Sequence, residues 1–167
     1  MTTKALILDL DDTLVNTAML ANLRQQRRWG EIFTKIGTTL AYSDAVSAVN
    51  SAYESGILIG VVTRSISNYA KAVLDHHQIR YHTLVAYHDC GKQKPAADPV
   101  LLCMQRLGVT KESAVGLGDS YDDCSAYLAA GIAAYGAAWS DQLARDAPWT
   151  QIISANEFTK LAFDCQP

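Results

Sequence analysis

No stretch of this sequence holds the roughly 18 to 20 consecutive apolar residues that a membrane span requires, so no membrane partner is expected. Basic residues are not in excess either. Fourteen Lys and Arg stand against 17 Asp and Glu, a net charge of −3. Affinity for a nucleic-acid duplex comes mainly from neutralising phosphates, so this balance argues against a duplex partner. A single phosphorylated end of a larger molecule stays open as a ligand. Cys90, Cys103, Cys124 and Cys165 form no C-x-x-C pair, and His76, His77, His82 and His88 have no metal-site spacing. Free thiols are therefore expected in place of a zinc site or a disulfide framework. No repeat or low-complexity tract breaks the chain. The first strand-like run starts at Lys4, leaving no room for a signal peptide, and the expected location is the cytoplasm.

What remains is ordinary globular composition: 167 residues, 49% hydrophobic and 19% charged, enough for one domain (1–167) with one core. Short continuous apolar runs mark strands covered on both faces: Lys4–Asp9, Ile57–Val62, Thr83–Ala86, Ser113–Leu117 and Ile132–Tyr135. Helical patterns lie between them, over Ser43–Ser55, Ser67–His77, Asp98–Leu107 and Tyr121–Ala130. Gly108 and Gly131 supply stops to the last two. Leu101, Leu102, Met104 and Leu107 are expected to form the apolar stripe of the third. Gln151–Ile153 adds a possible edge strand, and Ala155–Phe163 a closing helix. Alternating strands and helices predict an α/β fold, a doubly wound parallel sheet between helical layers.

One interval is too long for a simple crossover. Asp9 and Thr63 are separated by 53 residues, against roughly 30 for a whole compact βαβ unit. The surplus falls at about residues 16–42 and reads as a small helical cap insertion, one broken helix or two short ones, with Gly30 near the break. Arg24, Arg27 and Arg28 share one helical face by spacing. A solvated face is the first reading and substrate-anion recognition the second. Trp29, Phe33 and Trp139 read as packing residues.

In open α/β sheets a ligand sits beyond the carboxyl ends of the strands. Asp9, Asp11, Asp12 and Thr13 follow the first run, Thr63, Arg64 and Ser65 the second. Gly118, Asp119, Asp122 and Asp123 follow the fourth, and Lys94 opens the helix before it. Asp9, Asp11 and Asp119 suit Mg2+, which prefers a few carboxylates plus water and substrate oxygens. Thr63, Arg64 and Lys94 are the candidate phosphate-binding residues. A carboxylate nucleophile divides ester hydrolysis into two displacements, and Asp11 is spaced to give and later take a proton. Asp-x-Asp after a strand is by itself commonly a turn or helix cap, so the reading depends on the whole set. Asp12 and Asp122 read as surface or capping residues, and Gly118 as a turn residue.

The segment ILDLDDTLVNT resembles the first motif of the haloacid dehalogenase superfamily, and VVTRS resembles the second. KPAADPVLLCMQRLGV is similar to the third, and GLGDSYDDCSAYLAAG to the fourth as it occurs in phosphoglycolate phosphatase-like members. Four such matches in order are far more specific than one. The resemblance implies a magnesium-dependent phosphatase acting on a phosphomonoester through an aspartyl-phosphate. In it Asp9 is nucleophile and metal ligand, and Asp11 is acid/base and ligand through its carbonyl. Thr63 and Lys94 bind phosphate, Asp119 binds Mg2+, and Asp123 supports the metal indirectly. Two departures stand out: Asp12 replaces a common glycine, and Lys94-Pro-Ala-Ala97 replaces K-P-x-P. The cap is much reduced, so the expected ligand is a phosphorylated small molecule or the phosphorylated end of a larger one. A homo-oligomer completing the lid is a further expectation. A non-enzymatic phospho-receiver or phosphate-binding regulatory module is the alternative, disfavoured because Asp11 supplies a base for turnover.

Overall fold

The computed structural model describes residues 4–163. Cys165 therefore lies outside the described residues. Six parallel strands form the main sheet: β1 (Ala5–Leu8), β4 (Leu58–Val62), β5 (Thr83–Val85), β6 (Ala114–Gly118), β7 (Ala133–Ala137) and β8 (Gln151–Ile153). Their order is β5-β4-β1-β6-β7-β8. The doubly wound α/β architecture read from the sequence is thus the one observed, with strand boundaries shifted by a residue or two.

The side-chain period of two divides β1 between two cores. Leu6 and Leu8 join the residues of α3 (Ser43–Glu54), α4 (Ser67–His76) and α7 (Ala155–Phe163) on one face. Ala5 and Ile7 join α5 (Asp98–Leu107) and α6 (Tyr121–Ala129) on the other. On that second face Ile7 is flanked across the sheet by Gly60 and Gly116. A Cβ at Gly116 would lie 2.3 Å from the Tyr127 ring, and one at Gly60 would lie 2.2 Å from Cys103 Sγ. The missing side chains let α5 and α6 sit close to the strands that carry the site. Within α5 the buried residues are Pro99, Val100, Cys103 and Met104, with Leu102 and Leu107 packed against the same core, whereas Leu101 is 48% exposed. The expected stripe thus holds at Leu102, Met104 and Leu107 and fails at Leu101, with Val100 and Cys103 forming the centre of the face.

The long first crossover begins with a short antiparallel pair, β2 (Val15–Asn16) with β3 (Leu40–Ala41), which periodicity over two residues cannot reveal. Between them lie a 3-10 turn at Ala18–Leu20, α1 (Ala21–Gln25), α2 (Trp29–Lys35) and a second 3-10 turn at Ile36–Thr38. Leu20 and Ile32 are fully buried and Ile36 nearly so, joining the core around α4. Each such side chain contributes about 2 kcal/mol on burial, so the insertion is seated on the domain. Thr39 Oγ1 lies 2.7 Å from His77 Nε2 and adds a polar tie at its base.

The two short helices expected here are observed, with the break at Gln26–Arg28, where Arg27 takes φ +56°, and Gly30 close after it as the second residue of α2. Two other expectations for this segment change. Arg24, Arg27 and Arg28 therefore do not share a helical face. Phe33 is exposed, although Trp29 and Trp139 do pack against the core. Among the described residues no helix is long and apolar enough to cross a membrane.

Candidate active site

Adjacent strands β4, β1 and β6 end on the same edge, and each runs directly into polar residues. The sheet thus gathers Thr63, Asp9 and Asp119 from positions far apart in sequence. Thr63 is 3% exposed, Asp9 6% and Asp119 5%, at the floor of a cleft of about 650 Å³.

Lys94 reaches this floor. Its Nζ donates to Asp9 Oδ1 (2.7 Å), Asp123 Oδ1 (2.5 Å) and the Val62 carbonyl (2.8 Å). Three acceptors match the three donors of an ammonium. Burial alone would lower the Lys94 pKa, but Asp123 and Asp9 overcome this and raise it, so the charge persists. Lys94 was expected to meet phosphate; in this state it braces the carboxylate beside which a phosphate would sit.

Asp123 sits on α6, where it forms a capping box with Ser120. Its Oδ2 accepts from Ser120 Oγ (2.6 Å), Ser120 N (3.1 Å) and Asp119 N (3.3 Å). One carboxylate thus caps a helix, orients the Asp119 loop and pairs with Lys94. Gly118 makes this possible: a Cβ there would lie 2.5 Å from Asp123 Cβ and 2.7 Å from Cγ. Its role is close approach within a strand, which replaces the turn role expected from sequence. Gly118→Ala should cost about 1–3 kcal/mol of stability through this overpacking, measurable by chemical denaturation.

Asp9, Asp119 and Asp123 bring one ligand atom each within 4.8 Å of one another. Burial first, and then Asp123, raise the pKa of Asp9 despite Lys94. The same two causes push Asp119 up to about 7, although Thr13 Oγ1 donates to its Oδ1 at 2.8 Å. Three carboxylates against one ammonium leave this floor short of positive charge. A divalent cation with oxygen preference fits that deficit. Asp123 has both oxygens engaged, so Asp9 and Asp119 are the side chains fitted to hold the ion.

Asp11 stands apart from this cluster. Its Oδ1 accepts from Thr17 Oγ1 (2.7 Å), Tyr69 Oη (2.7 Å) and Arg24 Nη1 (2.8 Å). Its Oδ2 accepts from Ser65 Oγ (2.7 Å), with Thr63 Oγ1 at 3.5 Å. The sequence assigns Thr17, Ser65 and Tyr69 no role in the site, and offers Arg24 only as a solvated face or a contact for a substrate anion, not as a partner of Asp11. Tyr69 looks like an ordinary apolar position of α4, and its ring is indeed fully buried. Only its hydroxyl touches the site, a contact that no local pattern encodes.

At the lip, Arg64 pairs with Asp122, and Arg27, Trp29, Tyr87 and His88 line the cleft. Asp12 takes φ +65°. That conformation explains why a glycine is common there, and Asp12 Oδ1 offsets some of the cost by accepting from Thr17 N at 2.9 Å.

A family model described as haloacid dehalogenase-like hydrolase matches residues 21–137, a span that begins after Asp9 and Asp11. Phosphoglycolate phosphatase of Salmonella paratyphi A is 30% identical over 112 residues, 66% of this chain and 44% of that protein. Pyrophosphatase PpaX of Bacillus pumilus is 29% identical over 101 residues, 59% of this chain and 47% of its own length. The chain spans under half the length of these curated relatives. Among solved structures, CbbY from Rhodobacter sphaeroides in complex with phosphate superposes with a TM-score of 0.76. It is 16% identical and covers 96% of both chains. A HAD-superfamily hydrolase from Ehrlichia chaffeensis gives 0.73 at 15% identity, covering 98% of both. Such identities speak to the fold, while the family model covers most of the strands and helices that build the cleft. The chain belongs to the haloacid dehalogenase-like hydrolases.

Proposed function

We propose that the protein is a magnesium-dependent phosphatase that hydrolyses a phosphomonoester through an aspartyl-phosphate on Asp9. The observation that carries this reading is the buried floor. There a carboxylate at the end of the central strand is braced by Lys94 at 2.7 Å and crowded by Asp119 and Asp123. An Asp in this setting is matched to an electrophile that brings phosphate and a cation with it.

An Asp9 oxygen attacks the phosphorus, and the ester P–O bond breaks. Asp11 supplies the proton to the leaving alkoxide. In the second displacement Asp11 takes a proton from water, the new P–O bond forms, and the bond to Asp9 breaks, releasing phosphate. Asp9 and Asp119, with the Asp11 carbonyl assigned by family resemblance, would hold Mg2+, which would supply positive charge to offset the acids and the phosphate. Lys94 adds positive charge beside the nucleophile, and the Thr63 hydroxyl and Arg64 contact phosphoryl oxygens. Asp123 fixes Lys94 and the Asp119 loop.

The substrate is a phosphorylated small molecule or the phosphorylated end of a larger one, held mainly by its phosphate. The insertion is short, so a second copy of the chain is a candidate for completing the lid. Cys90, Cys103 and Cys124 are free thiols, which supports a reducing, cytoplasmic setting.

A screen of phosphomonoesters with magnesium tests the reading, and Asp11→Asn sharpens it. That variant should lose about 10²–10⁴-fold in kcat on an alkyl phosphate while still binding phosphate. Wild-type kcat from Asp11→Asn on a poor leaving group removes Asp11 from the mechanism. No turnover of any phosphomonoester by the magnesium-loaded wild type removes the function.

A further inference from the structure

The group proposed to move protons is held by the insertion. Arg24 lies on α1, and its Nη1 stands 2.8 Å from Asp11 Oδ1, 2.7 Å from Thr17 Oγ1 and 2.9 Å from Tyr69 Oη, three acceptors that share its two N–H groups. Its guanidinium carbon stands 5.7 Å from the centroid of the Tyr69 ring. Thr17 and Tyr69 are fully buried, and the Arg24 and Asp11 side chains are only 17% and 15% exposed. Three separate pieces of chain meet on one carboxylate oxygen: the insertion, its stem at Thr17, and α4.

We propose that Arg24 is a positioning residue for Asp11, so that seating of the insertion and orientation of the acid/base are one event. The proposal rests on the phosphatase reading above. Arg24 and Arg27 both line the cleft, but Arg24 commits its Nη1 to Asp11, Thr17 and Tyr69, whereas Arg27 is exposed and takes a left-handed conformation. A substrate-binding role therefore suits Arg27, and Arg24 acts through Asp11. Thr17, Tyr69 and Arg24 also hydrogen-bond within one cluster, so displacing the guanidinium releases the other donors to reorient. Ser65 would still hold Oδ2 at 2.7 Å, which keeps Asp11 nearby but free to turn. The insertion thereby has a function that its small size does not suggest. It holds the acid/base from the cleft wall through Arg24.

The test compares wild type, Arg24→Met, Arg24→Lys and Tyr69→Phe on two substrates with magnesium present. One is an alkyl phosphate, whose leaving oxygen needs a proton. The other is p-nitrophenyl phosphate, whose leaving group departs without one. Arg24→Met should lower kcat on the alkyl phosphate by about 30–100-fold with KM changed less than about threefold. Its pre-steady-state burst of nitrophenolate should stay within about threefold of the wild-type rate, followed by slower steady turnover as Asp11 fails to activate water. Arg24→Lys should restore part of the alkyl activity, and Tyr69→Phe should show a milder form of the same pattern. A raised KM with unchanged kcat makes Arg24 a substrate contact and overturns the proposal. Equal losses in burst rate and alkyl turnover, with a lowered melting temperature, make its role merely structural and also overturn it. Wild-type behaviour from Arg24→Met, in an enzyme that does turn over, overturns the proposal alone. A wild type inert on both substrates overturns it together with the phosphatase reading.

Discussion

Asp9→Asn should leave a well-folded protein whose phosphatase turnover is lower by about 10⁴-fold or more. The variant keeps the shape of the side chain and removes the anion that attacks phosphorus. Folding should survive because Lys94 retains Asp123 and the Val62 carbonyl as acceptors. In the absence of metal the variant should be at least as stable as the wild type. Burial and Asp123 already penalise the Asp9 anion, and a neutral amide escapes both penalties. Turnover with trapped aspartyl-phosphate is measured beside melting temperature, so loss of chemistry is separated from loss of fold. A folded variant with more than a few percent of wild-type turnover would exclude Asp9 as nucleophile. The same substitution also removes a candidate metal side chain, so magnesium titration of the variant shows how much of the loss is metal affinity.

The elements around Asp9 were largely readable because their signals are local. Apolar runs covered on both faces mark the strands, and the residues that follow each run mark the reactive edge. Asp9, Thr63, Lys94, Asp119 and Asp123 do converge there, as four ordered motifs suggest. The insertion was readable as surplus length and as short helices, but not in its stem or the position of its break. A two-residue hairpin stem has no periodicity, and the break at Arg27 depends on a left-handed backbone that arginine does not advertise. Arg24 and Tyr69 escaped for a different reason. Each occupies a position with an ordinary helical explanation, a solvated face for one and a core face for the other. Their contacts with Asp11 arise from the packing of α1 and α4, which bring residues 13 and 58 positions away to one oxygen. Gly118 carried the right residue type with the wrong reason attached. Its need for space appears only when Asp123 folds back from α6 over the end of β6.

Removing divalent metal should abolish turnover, and added magnesium should restore it, with a stability signature of defined sign. The Asp119 pKa is pushed up to about 7 in the metal-free fold, chiefly by burial and then by Asp123, whereas an unfolded Asp titrates near about 4. Between these values the folded chain binds more protons than the unfolded chain. Stability linked to Asp119 is therefore fully present below about pH 4 and is lost as pH rises through about 7. The raised Asp9 pKa acts in the same direction. Metal-free protein should accordingly melt on the order of 5 °C lower at pH 8 than at pH 5. Magnesium added at pH 8 should reverse the drop, because it binds the ionised carboxylates of the folded state and finds no such site in the unfolded chain. At pH 5 the same addition should do less, since protons then compete for the site. Asp119→Asn should flatten the metal-free slope and weaken the magnesium response together, as both effects come from one crowded carboxylate. Full turnover after exhaustive chelation would remove magnesium from the mechanism. A metal-free melting temperature that rises from pH 5 to pH 8 would show that the acids are not crowded as the geometry requires.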